Sequence, residues 1–142
     1  MILHSTVQGS LLIVLQRGDK LIASLTDIIR GNSIQGGSIV GLGGVCDVEL
    51  GYYDLRTKTY HRKKFNDADY ELLSLQGNIA ALDNAPFVHA HATLGKPDFS
   101  TFGGHLFEAT VAVVVELTII PLGRMPKRQM NESLGLATIC GF

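Results

Sequence analysis

Residues 105–120, HLFEATVAVVVELTII, are the feature that most limits the fold. The run is long and dense in β-branched residues, which fit a pleated strand better than a helix. Its longest apolar stretch, Ala109 to Val115 with Thr110 inside it, is closed by Glu116 and is far too short to cross a bilayer. A chain carrying such a strand is organised around a sheet, and the rest of the pattern agrees. Leu11 to Leu15 is a short apolar run, read as a buried strand. Ser38 to Leu42, Val45 to Tyr53, Thr59 to Phe65, Tyr70 to Ala81 and Phe87 to Leu94 are the further strands. Gly77 is expected to mark a bend or bulge. Polar turns are expected at Asp54–Lys58 and Asp83–Pro86.

One segment breaks the β pattern. Leu21, Ile22, Leu25, Ile28 and Ile29 recur at helical spacing and make one apolar stripe. Asp19 is the expected N-cap, and Gly31-Asn32 the expected end in left-handed geometry. The fold class is therefore α+β: a mainly antiparallel β-sheet with one principal amphipathic helix, over a single domain spanning 1–142.

The bulk numbers exclude several classes. With 142 residues, 46% apolar and 18% charged, the chain is long enough to bury a core and is not disordered. The low charged fraction hints that another subunit covers some apolar surface. A net charge of −1 lacks the basic excess of a protein that grips DNA through phosphates. Cys46 and Cys140 show no metal-ribbon spacing and read as reduced, partly buried thiols. No basic leader precedes the first apolar run, which reads against a signal peptide and for a cytoplasmic protein.

The chemistry concentrates on histidines. His89 and His91 lie two apart in an expected strand, so their imidazoles project from one face. His105 opens the next strand after Gly103-Gly104, expected to turn the backbone sharply. If the intervening loop centres near Pro97-Asp98-Phe99, His91 falls opposite His105 and the three rings share a face. A slip of one residue would turn His105 away. Three neutral imidazoles plus a water form an open site suited to Zn2+ and acceptable to other divalent transition metals. Glu108 is expected on the opposite face, away from this site. His4 and His61 read as ordinary polar positions.

Other motifs carry less. Gly41-Leu42-Gly43-Gly44 lacks the helix a phosphate loop needs and reads as a glycine-rich strand connection. Asp47 and Glu49 share one strand face and read as exposed carboxylates. Arg62-Lys63-Lys64 and Arg124 to Arg128 read as solvated edges. No G-x-S-x-G elbow occurs, so no catalytic residue is assigned.

Four separated motifs carry a family resemblance. They are His89-Ala90-His91-Ala92-Thr93-Leu94; Gly103-Gly104-His105-Leu106 with Glu108-Ala109-Thr110-Val111; Tyr70 to Gly77; and Gly51-Tyr52-Tyr53-Asp54 with Lys58-Thr59-Tyr60. Together they resemble the plants-and-prokaryotes-conserved (PPC) domain, from about Leu11 to Pro121. The resemblance implies a homotrimer and, as in some prokaryotic members, a metal held by His89, His91 and His105, with zinc favoured. In plants the domain follows AT-hook segments, and no Arg-Gly-Arg-Pro hook occurs here. Bacterial relatives carry a DNA-binding label that the charge balance supports little. The expected function is a trimeric metal-binding interaction or regulatory protein, DNA-associated or not; the alternative is a small zinc-dependent enzyme with an activated water.

Overall fold

A computed structural model describes residues 3–7 and 9–142, with side chains from residue 9 onward. The elements run β1 (Leu3–Val7), β2 (Ser10–Gln16), α1 (Leu21–Gly31), β3 (Gly37–Asp54), β4 (Thr59–Phe65), β5 (Tyr70–Leu82), β6 (Ala85–Gly95), β7 (Thr101–Pro121), β8 (Lys127–Asn131) and β9 (Leu136–Gly141). This is the expected α+β class, mostly sheet with one helix. The helix is not long and apolar enough to cross a membrane. The side chain of His4 falls outside the described residues.

The long strand does what its composition demands. β7 pairs antiparallel with β2 and β3 and, through its first residues, with β6. β5 in turn joins β3 to β6. Strands β3, β5, β6 and β7 thus form a closed circuit of paired neighbours, which leaves fewer open edges than a flat sheet. Among the described residues every strand pairing is antiparallel except a single bridge between Ala81 in β5 and Lys127 in β8. Ser38–Leu42 and Val45–Tyr53 prove to be one strand, β3, with register shifts between Gly41 and Gly43 and again between Cys46 and Glu49. The second shift, with a positive φ of 48° at Asp47, interrupts the alternation between buried Val45 and buried Val48, while Asp47 and Glu49 both stay outside the core on either side of Val48. Asp83 and Asn84, both at positive φ, make the two-residue β5–β6 turn.

Gly77 marks no bend. It pairs with Ile39 on one side and Ala90 on the other within unbroken β5, and a Cβ there would lie 2.4 Å from the His89 carbonyl oxygen. Close strand approach, rather than curvature, requires glycine at this position. The bulge in this region falls between Leu72 and Ser74 instead.

Helix α1 packs its buried Leu21, Leu25, Ile28 and Ile29 toward β6 and β7, where Ala90, Ala92, Leu94, Ala109 and Val111 form part of the same core. Its N-terminus differs from expectation. Lys20, not Asp19, is the N-cap, and its side chain makes no capping bond. Asp19 turns back, its carboxylate accepting the Gln16 amide at 2.9 Å. The cap comes from 86 residues away: the Glu108 carboxylate accepts the Ile22 N–H at 2.8 Å and the Ala23 N–H at 3.2 Å. A carboxylate there satisfies two otherwise unpaired donors and meets the positive end of the helix dipole. At the other end Asn32 sits at φ −101°, and Ser33, at φ 51°, takes the left-handed position.

Glu108→Ala is expected to lower stability by about 1–3 kcal/mol, since it removes charge-assisted bonds to two helix amides. Urea unfolding checks this; an unchanged midpoint would mean that water caps the helix equally well.

Candidate metal centre

The β6–β7 pairing sets the site. His91 lies directly across from His105, Ala92 across from Gly104, and Thr93 across from Gly103. Ala90 and Ala92 are buried on the inner face, so His89, His91 and His105 all project outward. The expected register is the observed one. Gly103 and Gly104 do not turn the chain, however, but sit inside β7. A Cβ on Gly103 would lie 2.4 Å from the Ala92 carbonyl oxygen, so glycine lets β7 approach β6 closely.

The rings of His89 and His91 lie 5.1 Å apart, those of His89 and His105 5.2 Å, and those of His91 and His105 5.5 Å. One nitrogen from each ring lies within 4.8 Å of the others. Tetrahedral zinc ligands at about 2.0–2.1 Å stand about 3.4 Å from one another, so small ring rotations close the set. His91 is exposed and free to turn, whereas His89 and His105 are half-buried. Tyr60 and Phe107 pack on His105 at 5.0 and 4.7 Å between ring centroids, and the Arg62 guanidinium covers Phe107 at 3.7 Å.

Local sequence gave no sign of Arg128. Its run reads as a solvated basic edge, yet Arg128 is half-buried against His89. Its Nη2 donates to Asn78 Oδ1 at 2.9 Å and lies 3.2 Å from His89 Nδ1, while Nη1 donates to the Ala137 carbonyl at 3.0 Å. A guanidinium only donates, so His89 Nδ1 accepts, and the neutral ring carries its proton on Nε2. The β8–β9 hairpin that delivers Arg128 is held by the Ala81 N–H on the Pro126 carbonyl, and by Tyr53 and Lys58 on the Leu134 and Glu132 carbonyls. Of the other basic residues, Lys63 lies over Phe65 and Arg124 over Phe142, away from the histidines.

Electrostatics favour neutral imidazoles, the form that ligates metals. Burial, followed by the charges of Arg128 and His91, pushes His89 down to about 4. Burial, then His89 and His91, with Arg62 and Arg128 behind them, does the same to His105. The buried His105 Nδ1 has no hydrogen-bond partner. Three convergent imidazoles and an orphaned ring nitrogen form a donor set that fits a late first-row divalent cation.

The remaining candidates lie elsewhere. Glu108 is committed to the helix, as its expected face implied. His61 is exposed, 3.8 Å from Asp54. Glu49 pairs with Arg62 at 2.9 Å. Cys46 and Cys140 are free; Cys46 is half-buried, whereas Cys140 is exposed rather than partly buried. Two open depressions flank His91, about 290 Å³ on the Thr93–Gly103 side and about 310 Å³ on the Asn78–His89 side.

The pH dependence follows from the two lowered histidines. At pH 7 both are neutral in the folded chain and mostly neutral in the unfolded one. Below 6.5 the unfolded chain takes up protons that folded His89 and His105 refuse until about 4. The stability of chelator-treated protein is therefore expected to fall from pH 6.5 toward 4. A His89→Gln/His105→Gln variant should show a shallower slope in urea midpoints; equal slopes would contradict the assignment.

No curated protein matches this chain at a significant level. Solved structures do match. A candidate DNA-binding protein from Bacteroides thetaiotaomicron is 25% identical, with a TM-score of 0.94 over 99% of this chain and 98% of that one. A plant- and prokaryote-conserved protein from Pyrococcus horikoshii is 29% identical, with a TM-score of 0.85 over 100% and 96%. A metal-containing protein from Archaeoglobus fulgidus is 31% identical, with a TM-score of 0.86 over 99% and 98%. Residues 4–123 match the model of the Plants and Prokaryotes Conserved (PCC) domain, also written PPC, and the chain belongs to that family.

Proposed function

We propose that residues 1–142 form a single-domain metal-binding protein of the PPC family. His89, His91 and His105 hold a divalent transition metal, zinc foremost, and the chain works as a homotrimer in an interaction or regulatory role. The observation that carries this reading is the convergence of one nitrogen from each of the three imidazoles within 4.8 Å. The metal-containing Archaeoglobus relative supports it. Bound there, a zinc ion supplies a Lewis acid with a position left over for water or a ligand atom. This chain's part is to fix His89 and His105 by burial and to keep both neutral.

Trimerisation is supported by the outer face of the sheet. Leu12, Val40, Leu42, Leu73, Val113 and Ile120 are all exposed there or beside it. Register aligns Leu12, Thr118, Val40, Gln76, His91 and His105 in one row across the strands. Directly paired residues share a face, so the apolar surface runs toward the histidines. Burying such a face against other copies removes it from water.

A zinc-dependent enzyme is the second reading, favoured by the depressions beside His91. It lacks a base: Glu108 is bound to α1, and among the described residues no carboxylate contacts the three histidines. DNA association rests on the description of the Bacteroides relative, and a net charge of −1 supplies little for phosphate contacts. A cytoplasmic setting agrees with two unpaired cysteines.

Elemental analysis of untagged protein should find about one metal per chain, lost in His91→Ala, because two imidazoles make a poor zinc site. Metal content that is unchanged by the substitution would refute the ligand set. Sedimentation equilibrium should give a trimer that Val40→Glu shifts toward monomer, and a wild-type monomer would refute the assembly.

A further inference from the structure

Arg128 is a half-buried cation without a counter-ion. Among the described residues no Asp or Glu lies within ion-pair distance of it, and its buried Nε has no partner. Its Nη2 uses the Nδ1 lone pair of His89 as an acceptor. That bond and metal ligation by His89 exclude each other. A neutral imidazole has one lone pair. If His89 ligates through Nδ1, the pair is spent. If it ligates through Nε2, the proton moves to Nδ1, which then faces Arg128 as a second donor. Either way, one Nη2 N–H loses its acceptor beside the bound cation.

We propose that this N–H, with the surrounding positive charge, recognises a small oxyanion held against the metal of the three-histidine site. The inference rests on the metal reading above and names the ligand class of the same site. Room exists next to it: an open depression of about 310 Å³ is lined by Gln76, Gly77, Asn78, His89 and His91, and Arg128 adjoins it through its contacts to Asn78 and His89. Its chemistry asks for an acceptor. A divalent ion and a guanidinium with no carboxylate between them attract an anion, and a planar guanidinium suits phosphate and carboxylate oxygens. Arg128 is here a binding residue for the anion. Its bonds to Asn78 and the Ala137 carbonyl keep it in place while the His89 contact is exchanged.

Reciprocal linkage follows: the anion binds more tightly to the metal-loaded chain, and the metal more tightly in its presence. The test uses the full chain loaded with Co(II), whose visible spectrum reports on its ligands, titrated separately with inorganic phosphate and acetate. A saturable spectral change is expected with at least one. Phosphate alone would assign a phosphoryl ligand, acetate alone a carboxylate, and either result supports the proposal. Arg128→Gln should still bind one Co(II) per chain but weaken the anion by about tenfold or more, with Arg128→Lys retaining part of the affinity. No saturable change with either anion, or equal affinity in Arg128→Gln, overturns the proposal and leaves Arg128 a clamp for the β8–β9 hairpin. Should Arg128→Gln fail to fold, phenylglyoxal labelling of wild-type Co(II) protein decides: slowed modification of Arg128 by the anion supports the subsite, and an unchanged rate overturns it. If wild-type protein binds no Co(II), the metal reading itself fails.

Discussion

The antiparallel pairing of β6 with β7 is the constraint on which the rest depends. Side chains alternate along a strand, so this register decides two things at once. It sends Ala90, Ala92 and Leu94 into the core under α1, and it sends His89, His91 and His105 outward together. A slip of one residue would bury the imidazoles and expose the core, at the cost of several apolar side chains' burial. Glycines at 77 and 103 tighten the specification from outside the hydrophobic pattern, since a side chain at either would strike the neighbouring strand's carbonyl. Core and candidate site are therefore two faces of one pairing.

The charge arrangement around the site is unusual in sign. Three imidazoles, two of them held neutral, stand beside a half-buried guanidinium, with no carboxylate in contact among the described residues. Such a cluster resists protons but welcomes a cation that uses the imidazole lone pairs, and the combined charge then invites an anion. Glu108, the nearest acid along β7, is spent on the amides of α1. The same strand thus anchors the helix through one face and offers His105 through the other.

Legibility in the sequence tracked the range of the forces involved. Periodicity located α1, because its stripe is set by local geometry and burial. The hairpin loop near Pro97–Phe99 was legible too, and with it the His91–His105 pairing. The helix cap was not, because Glu108 lies 86 residues from the amide it accepts. Nor was Arg128, which reaches His89 only after the β8–β9 hairpin docks on β5. Gly77 and Gly103-Gly104 looked like bends because glycine usually marks them, but tight strand contact needs glycine equally and leaves no separate local sign. The break at Asp47 likewise falls where β3 leaves β5 at Val45 and takes up β4 at Val48, a change of partner with no local sign.

X-ray absorption at the zinc edge of the purified protein tests the central claim most directly, because it reports the donors and not merely the presence of metal. The expected spectrum has about three nitrogen scatterers at about 2.0–2.1 Å with imidazole multiple scattering, and one light atom completing the shell. A sulfur shell near about 2.3 Å, or oxygen donors without imidazole scattering, would contradict it and move the metal away from His89, His91 and His105.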